Sequence, residues 1–182
     1  METATATKTA TKWVIDPTHS KLDFKVRHMM ITNVKGEFKN YSVAVDGDDI
    51  FRSNIKVNID VSSIDTNNTD RDNHLKSADF FDAENYGEIT FKSTSISRKS
   101  DDDYEVKGLL TIKDVSKEVK LHVEFGGISK DPWGNEKAGL SVSGKINRQD
   151  WGLNWNAALE TGGVLVSDEV KISGEIQFIK QV

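Results

Sequence analysis

Apolar and polar residues alternate with a period of two almost continuously from Trp13 onward, and this restricts the fold more than any other feature of the chain. Leu22, Phe24 and Val26 occupy one parity, and Lys21, Asp23, Lys25 and Arg27 the other. Successive side chains of a pleated strand point to opposite faces, so this run is a half-buried strand. The pattern returns at Ile55, Val57, Ile59 and Val61, then at Ile89, Phe91 and Ile96. It continues at Val119, Leu121, Val123 and Phe125, at Leu140, Val142 and Ile146, and at Val170, Ile172, Ile176 and Phe178. Turn sequences separate the runs: Val45-Asp46-Gly47-Asp48, Ser100-Asp101-Asp102-Asp103 and Asp131-Pro132-Trp133-Gly134-Asn135. Such a series of about eight strands predicts an all-β antiparallel sandwich or barrel. With only two prolines, the ladders run uninterrupted.

A length of 182 residues suits one large domain, able to bury roughly 70% of its unfolded surface. The domain is placed at 13–182, behind a Thr/Ala-rich stretch, 1–12, that reads as a short flexible arm. The start has no apolar run of signal-peptide length and no segment has the roughly 20 apolar residues of a membrane span, so the expectation is a cytoplasmic protein that is not integral to a membrane. With 24 Lys+Arg against 29 Asp+Glu the net charge is −5, and there is no long like-charge block, so nucleic acid is not an expected partner. Cysteine is absent, which excludes disulfides, thiolate metal sites and cysteine nucleophiles. A two-fold homodimer is the reference expectation for assembly.

Four glycines fall on the apolar parity with apolar residues two positions away: Val34-x-Gly36-x-Phe38, Val106-x-Gly108-x-Leu110, Val142-x-Gly144-x-Ile146 and Ile172-x-Gly174-x-Ile176. They permit sharp coiling at barrel corners, and they also leave inward positions without a side chain, which favours a cavity. Both readings stand together.

The one departure from strand periodicity is Thr69 to Phe81. Thr69 serves as N-cap, Asp70 and Asp72 suit the first turn of the helix dipole and Lys76 its last, predicting a short helix over about 70–79. Arg71, His74, Leu75 and Ala78 share one face at three- and four-residue spacing, directed at the barrel.

These segments together resemble the YceI-like family, the polyisoprenoid-binding, lipocalin-like proteins of bacteria. The resemblance covers nearly everything from Trp13 to Ile179: Trp13-Val-Ile-Asp-Pro-Thr-His19-Ser20, Phe24-x-Val26-Arg27-His28, Val34-x-Gly36-x-Phe38, Ser63-Ile64-Asp65-Thr66, Arg71-Asp72-x-His74-Leu75-x-Ser77-x-Asp79-Phe80-Phe81, Leu110-Thr111-Ile112 and Asn147-Arg148-x-Asp150-x-Gly152. It implies an antiparallel lipocalin-like barrel of about eight strands with one short helix covering part of it. It also implies a lumen for a long isoprenoid or similar amphiphilic chain, isoprenoid quinones and fatty-acid derivatives included, and the expected ligand is an isoprenoid-type lipid such as a quinone or polyprenyl phosphate. The chain departs from the family in having Lys113-Asp114 where a turn glycine is common and Gly87 where proline follows the tyrosine.

The expected lumen lining is Phe24, Val26, Phe38, Phe80, Phe81, Phe91, Gly108, Leu110, Gly144 and Trp151. His28 and Arg148 share inward parity near strand ends, and with Arg71 and His74 they are the candidates for a head-group site at the mouth, arginine matching phosphate bidentately. Alternatively Arg148 pairs with Asp150 or Asp72 and ties a loop to the barrel. A metal site from His19, His28 and His74 lacks the close spacing of a preformed site. Ser20 and His19, as strand neighbours, point to opposite faces and make a poor catalytic pair, and Asp72 with His74, or Asp150, offers no poised nucleophile. Neither an enzyme nor a cofactor is expected. The alternative to lipid binding is a stress-response or interaction protein with a solid barrel.

Overall fold

A computed structural model describes residues 13–157, 159 and 165–181. The segment read as an N-terminal arm, 1–12, lies outside them. The strands are β1 (Trp13–Ile15), β2 (Lys21–His28), β3 (Thr32–Phe38), β4 (Tyr41–Val45), β5 (Ile55–Asp60), β6 (Ile64–Asp65), β7 (Glu88–Arg98), β8 (Asp103–Ile112), β9 (Val115–Lys130), β10 (Glu136–Asn147) and β11 (Val166–Lys180). One helix, α1 (Thr69–Lys76), follows β6.

All pairings are antiparallel, in the order β1-β4-β5-β7-β8-β9-β10-β11, and β1 pairs back onto β11, which closes an eight-stranded barrel. The strands β2, β3 and β6 extend from β11 as a branch, because β2 pairs with the first part of β11 while β1 pairs with its end. The chain thus passes from β1 to β2 along one neighbour, with a single 3-10 turn, Pro17–His19, between them. There the Ser20 hydroxyl donates to the Gln177 carbonyl (3.3 Å) and accepts the Gln177 N–H (3.0 Å), replacing the ladder bonds lost at the turn.

Asp16 caps that turn. It is 8% exposed, and it accepts the Thr18 N–H (3.0 Å) and pairs with His19 (2.8 Å) and Lys137 (3.8 Å). The His19 hydrogen bond is the main cause that holds its carboxyl below the ordinary value of 3.8, against the opposing effect of burial. A carboxylate whose folded pKa is depressed contributes stability above its unfolded pKa, and this is lost as pH falls through the folded value. Asp16→Asn is therefore expected to cost about 1–2 kcal/mol at pH 7. The gap between variant and wild type narrows as pH falls below the ordinary carboxylate range, which urea unfolding at pH 7 and pH 3 checks.

The interior divides into two halves. One is filled: Trp13, Val45, Val106, Val123, Leu140, Ile176 and Phe178 form a buried core, capped by Phe51 stacked on Tyr104 (3.7 Å) and edge-on to Phe125. The glycine positions do not open that core. A Cβ on Gly36 would overlap the Phe24 ring, one on Gly108 would meet the Phe91 ring and the Lys92 carbonyl, and one on Gly144 the Leu121 side chain. Rings and branched side chains of neighbouring strands already occupy those three inward positions, so the reading of gaps there is corrected, while a Cβ on Gly174 would come no nearer than 3.3 Å, to the Lys21 carbonyl. A leucine at Gly108 would disrupt the sheet rather than fill a lumen.

Two hairpins turn on non-glycine residues with positive φ: Lys113 (51°) with Asp114 (63°) between β8 and β9, and Met29 (53°) with Met30 (64°) between β2 and β3. Left-handed backbone costs L-residues roughly 1–2 kcal/mol each, least for Asp and Asn. The Lys113-Asp114 turn thus keeps the geometry that glycine commonly supplies, and the Met29-Met30 turn is the more costly.

Candidate functional site

The second half of the barrel is hollow. A cavity of about 290 Å³ lies between β2, β3, the ends of β8, β10 and β11, and α1. Its walls include Leu22, Phe24, Val26, Val34, Phe38, Ile59, Ile89, Leu110, Ile112, Ile146, Val170 and Ile172, with Leu75, Phe80 and Phe81 from the helix region and Leu153, Trp155 and Leu165 from the loops beyond β10. The charged or titratable residues of its lining are Asp23, Arg27, His28, Arg71, His74 and Arg148. A larger, open concavity of about 760 Å³ is lined chiefly by outward-parity charged residues, among them Lys25, Lys35, Lys120 and Lys171. Of the two, the first has the lining that suits an apolar chain.

Of the residues expected to line a lumen, the cavity brings together Phe24, Val26, Phe38, Phe80, Phe81 and Leu110. Phe91, Gly108, Gly144 and Trp151 do not line it. Phe91 covers Gly108 in the filled half, and Gly144 borders the charged concavity. Trp151, 2% exposed, packs in the core and donates its indole N–H to the Leu110 carbonyl (2.9 Å).

The helical cover is shorter than its sequence pattern suggests. Asn68, not Thr69, is the N-cap, its side chain accepting the Arg71 N–H (3.0 Å), and the helix stops at Lys76. Ser77 to Phe81 then form a turn in which the Phe81 N–H donates to the Leu75 carbonyl (3.0 Å), which leaves Ala78 exposed rather than on the inward face. Asp72 accepts both the N–H (2.9 Å) and the hydroxyl of Thr66. Arg71 donates Nε to the Thr66 hydroxyl (2.8 Å) and Nη2 to its carbonyl (2.7 Å). The first helical turn is thereby fastened to the loop after β6, with both Thr66 and Arg71 at the cavity wall. His74 bonds Asp79 (2.9 Å) and sets its ring edge-on to Phe80 and Trp155, at 5.1 and 4.7 Å.

Arg148 is buried, 3% exposed. Its Nε donates to the Ser167 carbonyl (3.0 Å), Nη1 to the carbonyls of Leu153 and Trp155, and Nη2 to that of Val166 (3.3 Å). Burial pushes its pKa down, countered by the charge of Asp168 at 3.7 Å. Its partners are thus backbone carbonyls and Asp168, not Asp150 or Asp72, and most of its five N–H donors are committed to holding the loop after β10 against β11. His28 differs: among the described residues its side chain makes no hydrogen bond or ion pair, and it lines the cavity at the last position of β2.

No three His, Asp or Glu among the described residues are arranged to hold a metal ion. His19 pairs with Asp16 and Ser20 with Gln177, so the two do not interact. Leu153, Trp155 and Leu165 escaped sequence reading because they lie in loops, where no periodicity marks an inward residue. No helix among the described residues is long and apolar enough to cross a membrane.

The YceI-like domain model matches residues 13–178. A UPF0312 protein of Staphylococcus aureus (strain MSSA476) is 43% identical over 171 residues, covering 92% of this chain and 97% of that protein. Among solved structures, the Campylobacter jejuni YCEI protein has a TM-score of 0.74 at 34% identity, over 86% of this chain and 90% of that one. A polyisoprenoid binding domain from Saccharophagus degradans has a TM-score of 0.70 over 93% of this chain and 98% of that one, and its 14% identity makes it a likeness of fold alone. With a family match over most of its length and relatives above 30% identity, the chain belongs to the YceI-like domain family.

Proposed function

We propose that this protein binds a long-chain isoprenoid-type lipid, such as a polyprenyl phosphate, an isoprenoid quinone or a similar amphiphile, and sequesters or carries it without catalysing a reaction. The observation that carries this reading is the hollow half of the barrel, whose lining is mostly apolar with six charged or titratable side chains among it. The fold it shares with a polyisoprenoid binding domain supports it. The tail lies along Val26, Val34, Val170 and Ile172, under the cover made by Leu75, Phe80 and Phe81. His28, whose ring makes no hydrogen bond or ion pair among the described residues, orients the head, while Arg71 and Arg148 hold the walls in place.

Size limits how much of the tail is enclosed. At ~30 Å³ for each water-sized group, 290 Å³ takes about ten carbons, or two isoprene units. Their burial contributes about 8 kcal/mol before the costs of association. Longer tails extend through the mouth or displace the phenylalanine side chains. Affinity for a series of prenyl alcohols is therefore expected to rise steeply with each unit up to about two and then to flatten. Isothermal titration with the purified chain measures this, and lipid extraction with native mass spectrometry of protein made in its own host identifies the natural cargo. Affinity independent of chain length would remove the burial mechanism.

A further inference from the structure

Seven large apolar residues are exposed among the described residues, and three of them are consecutive: Met29, Met30 and Ile31, at 44, 50 and 74%. Single exposed apolar residues are ordinary, whereas a contiguous set marks a surface that meets something apolar. These three form the tip of the β2–β3 hairpin, where the Ile31 N–H donates to the His28 carbonyl (3.2 Å) and both methionines hold positive φ. Hairpins with this backbone favour Asn-Gly, so two methionines stand here against both conformational preference and solvation.

The tip is fixed at the rim of the cavity. His28, the residue before it, lines the cavity, and the Met29 N–H donates to the carbonyl of Leu165, another wall residue (2.8 Å). Behind it lies a basic band. Lys35, Lys25 and Lys171 stand directly opposite one another on β3, β2 and β11, a juxtaposition that ordinarily destabilises a sheet. Among the described residues neither they nor Arg27 form an ion pair. Of the acids nearby, Asp168 is engaged by Arg148 and Gln149 and Glu169 by Lys145 at 4.0 Å, while Asp23 and Glu37 stand opposite each other two residues farther from the tip, Asp23 paired with Lys21 at 3.7 Å.

We propose that Met29, Met30 and Ile31 insert into the surface of an anionic bilayer, with Arg27, Lys25, Lys35 and Lys171 on the lipid head groups, so that the mouth of the cavity opens onto the membrane. Partial burial of an apolar tip, reinforced by attraction to anionic lipid, gives reversible attachment without a spanning segment. This rests on the reading of the cavity as a lipid site, since such docking lets a tail pass between bilayer and barrel without crossing water.

The test is flotation of the full chain with phosphatidylcholine vesicles, with and without phosphatidylglycerol, comparing wild type with Met29→Asn/Met30→Gly/Ile31→Thr. The substitutions supply the preferred turn residues and touch no cavity wall, so the variant stays folded, as thermal melting checks, and keeps its cargo. Wild type is expected to float with the anionic vesicles and the variant to lose about tenfold or more of that association. Lys25→Gln/Lys35→Gln/Lys171→Gln is expected to erase the preference for anionic over neutral vesicles. Wild type that stays out of the vesicle fraction while carrying lipid would overturn the proposal and leave the cavity reading intact. Equal flotation of wild type and tip variant would also overturn it, as would vesicle-free self-association in sedimentation velocity that the tip variant abolishes. Tip-dependent flotation by protein without cargo would uphold docking and defeat the cavity reading.

Discussion

Arg148→Ala is expected to lower the free energy of unfolding by about 3–5 kcal/mol, because several buried backbone carbonyls lose their donor at once. The side chain is almost wholly enclosed and its donors hold the carbonyls of Leu153, Trp155, Val166 and Ser167. Truncation leaves these acceptors unpaired, at about 1–3 kcal/mol for each that stays dry, with the total moderated by water entering the vacated space. Arg148→Lys recovers less than half of the loss, because one ammonium cannot span the loop after β10 and the start of β11 together. Arg148→Met restores volume without donors, so the difference between Met and Ala isolates packing. For a chain of this size the alanine variant should melt roughly 10 °C lower, and chemical denaturation should show an unchanged slope. A loss below about 1 kcal/mol would mean that the loop finds other partners and that Arg148 is not its anchor. Because Leu153 and Trp155 reach the cavity wall from that loop, the same variant should also release cargo faster.

The division between what periodicity revealed and what it missed follows from the range of the interactions. Strand faces obey a local rule, so the inward positions of Phe24, Val26, Phe38, Leu110, Ile146 and Ile172 were legible one strand at a time, as were the turns at Asp46 and Asp131. The glycines misled because their meaning lies on the neighbouring strand: whether Gly108 marks a void depends on where the Phe91 ring folds, seventeen positions away. Arg148 is buried just beyond the end of β10, in a 3-10 turn where strand parity no longer applies, and its acceptors are backbone carbonyls, which leave no mark in a sequence. Helix α1 shows a third case. The choice between Asn68 and Thr69 as cap turns on one residue's backbone angles, and Ser77 ends the helix by bonding the His74 carbonyl, so capping chemistry was legible to within a residue or two and the extent of the inward face was not. Closure through β1 and β11 joins the two ends of the barrel sequence, a pairing that periodicity, which leaves sandwich and barrel both open, does not mark.

Val26→Phe/Val170→Phe is expected to empty the protein of lipid while leaving it folded. Val26 lies directly opposite Val170 on β11 and Val34 on β3, and all three line the hollow half. Two additional rings entering 290 Å³ take up much of the volume that a tail of about ten carbons would need. Overpacking a filled core costs about 1–3 kcal/mol, but here the added groups enter empty space and gain contacts, so the net change in stability should fall below that range. Lipid extracted per mole of purified protein should drop at least about tenfold, and titrated prenyl alcohols should lose a similar factor, each methylene excluded from the cavity costing about 0.8 kcal/mol. Ile176→Val in the filled half supplies the contrast: it removes about 0.5–1.5 kcal/mol of stability without altering the cavity and should keep its lipid. If the doubly substituted protein folds and still carries the same lipid, the tail does not reside between β2 and β11. If both variants lose lipid alike, retention reflects general stability, and the hollow half is not where the ligand binds.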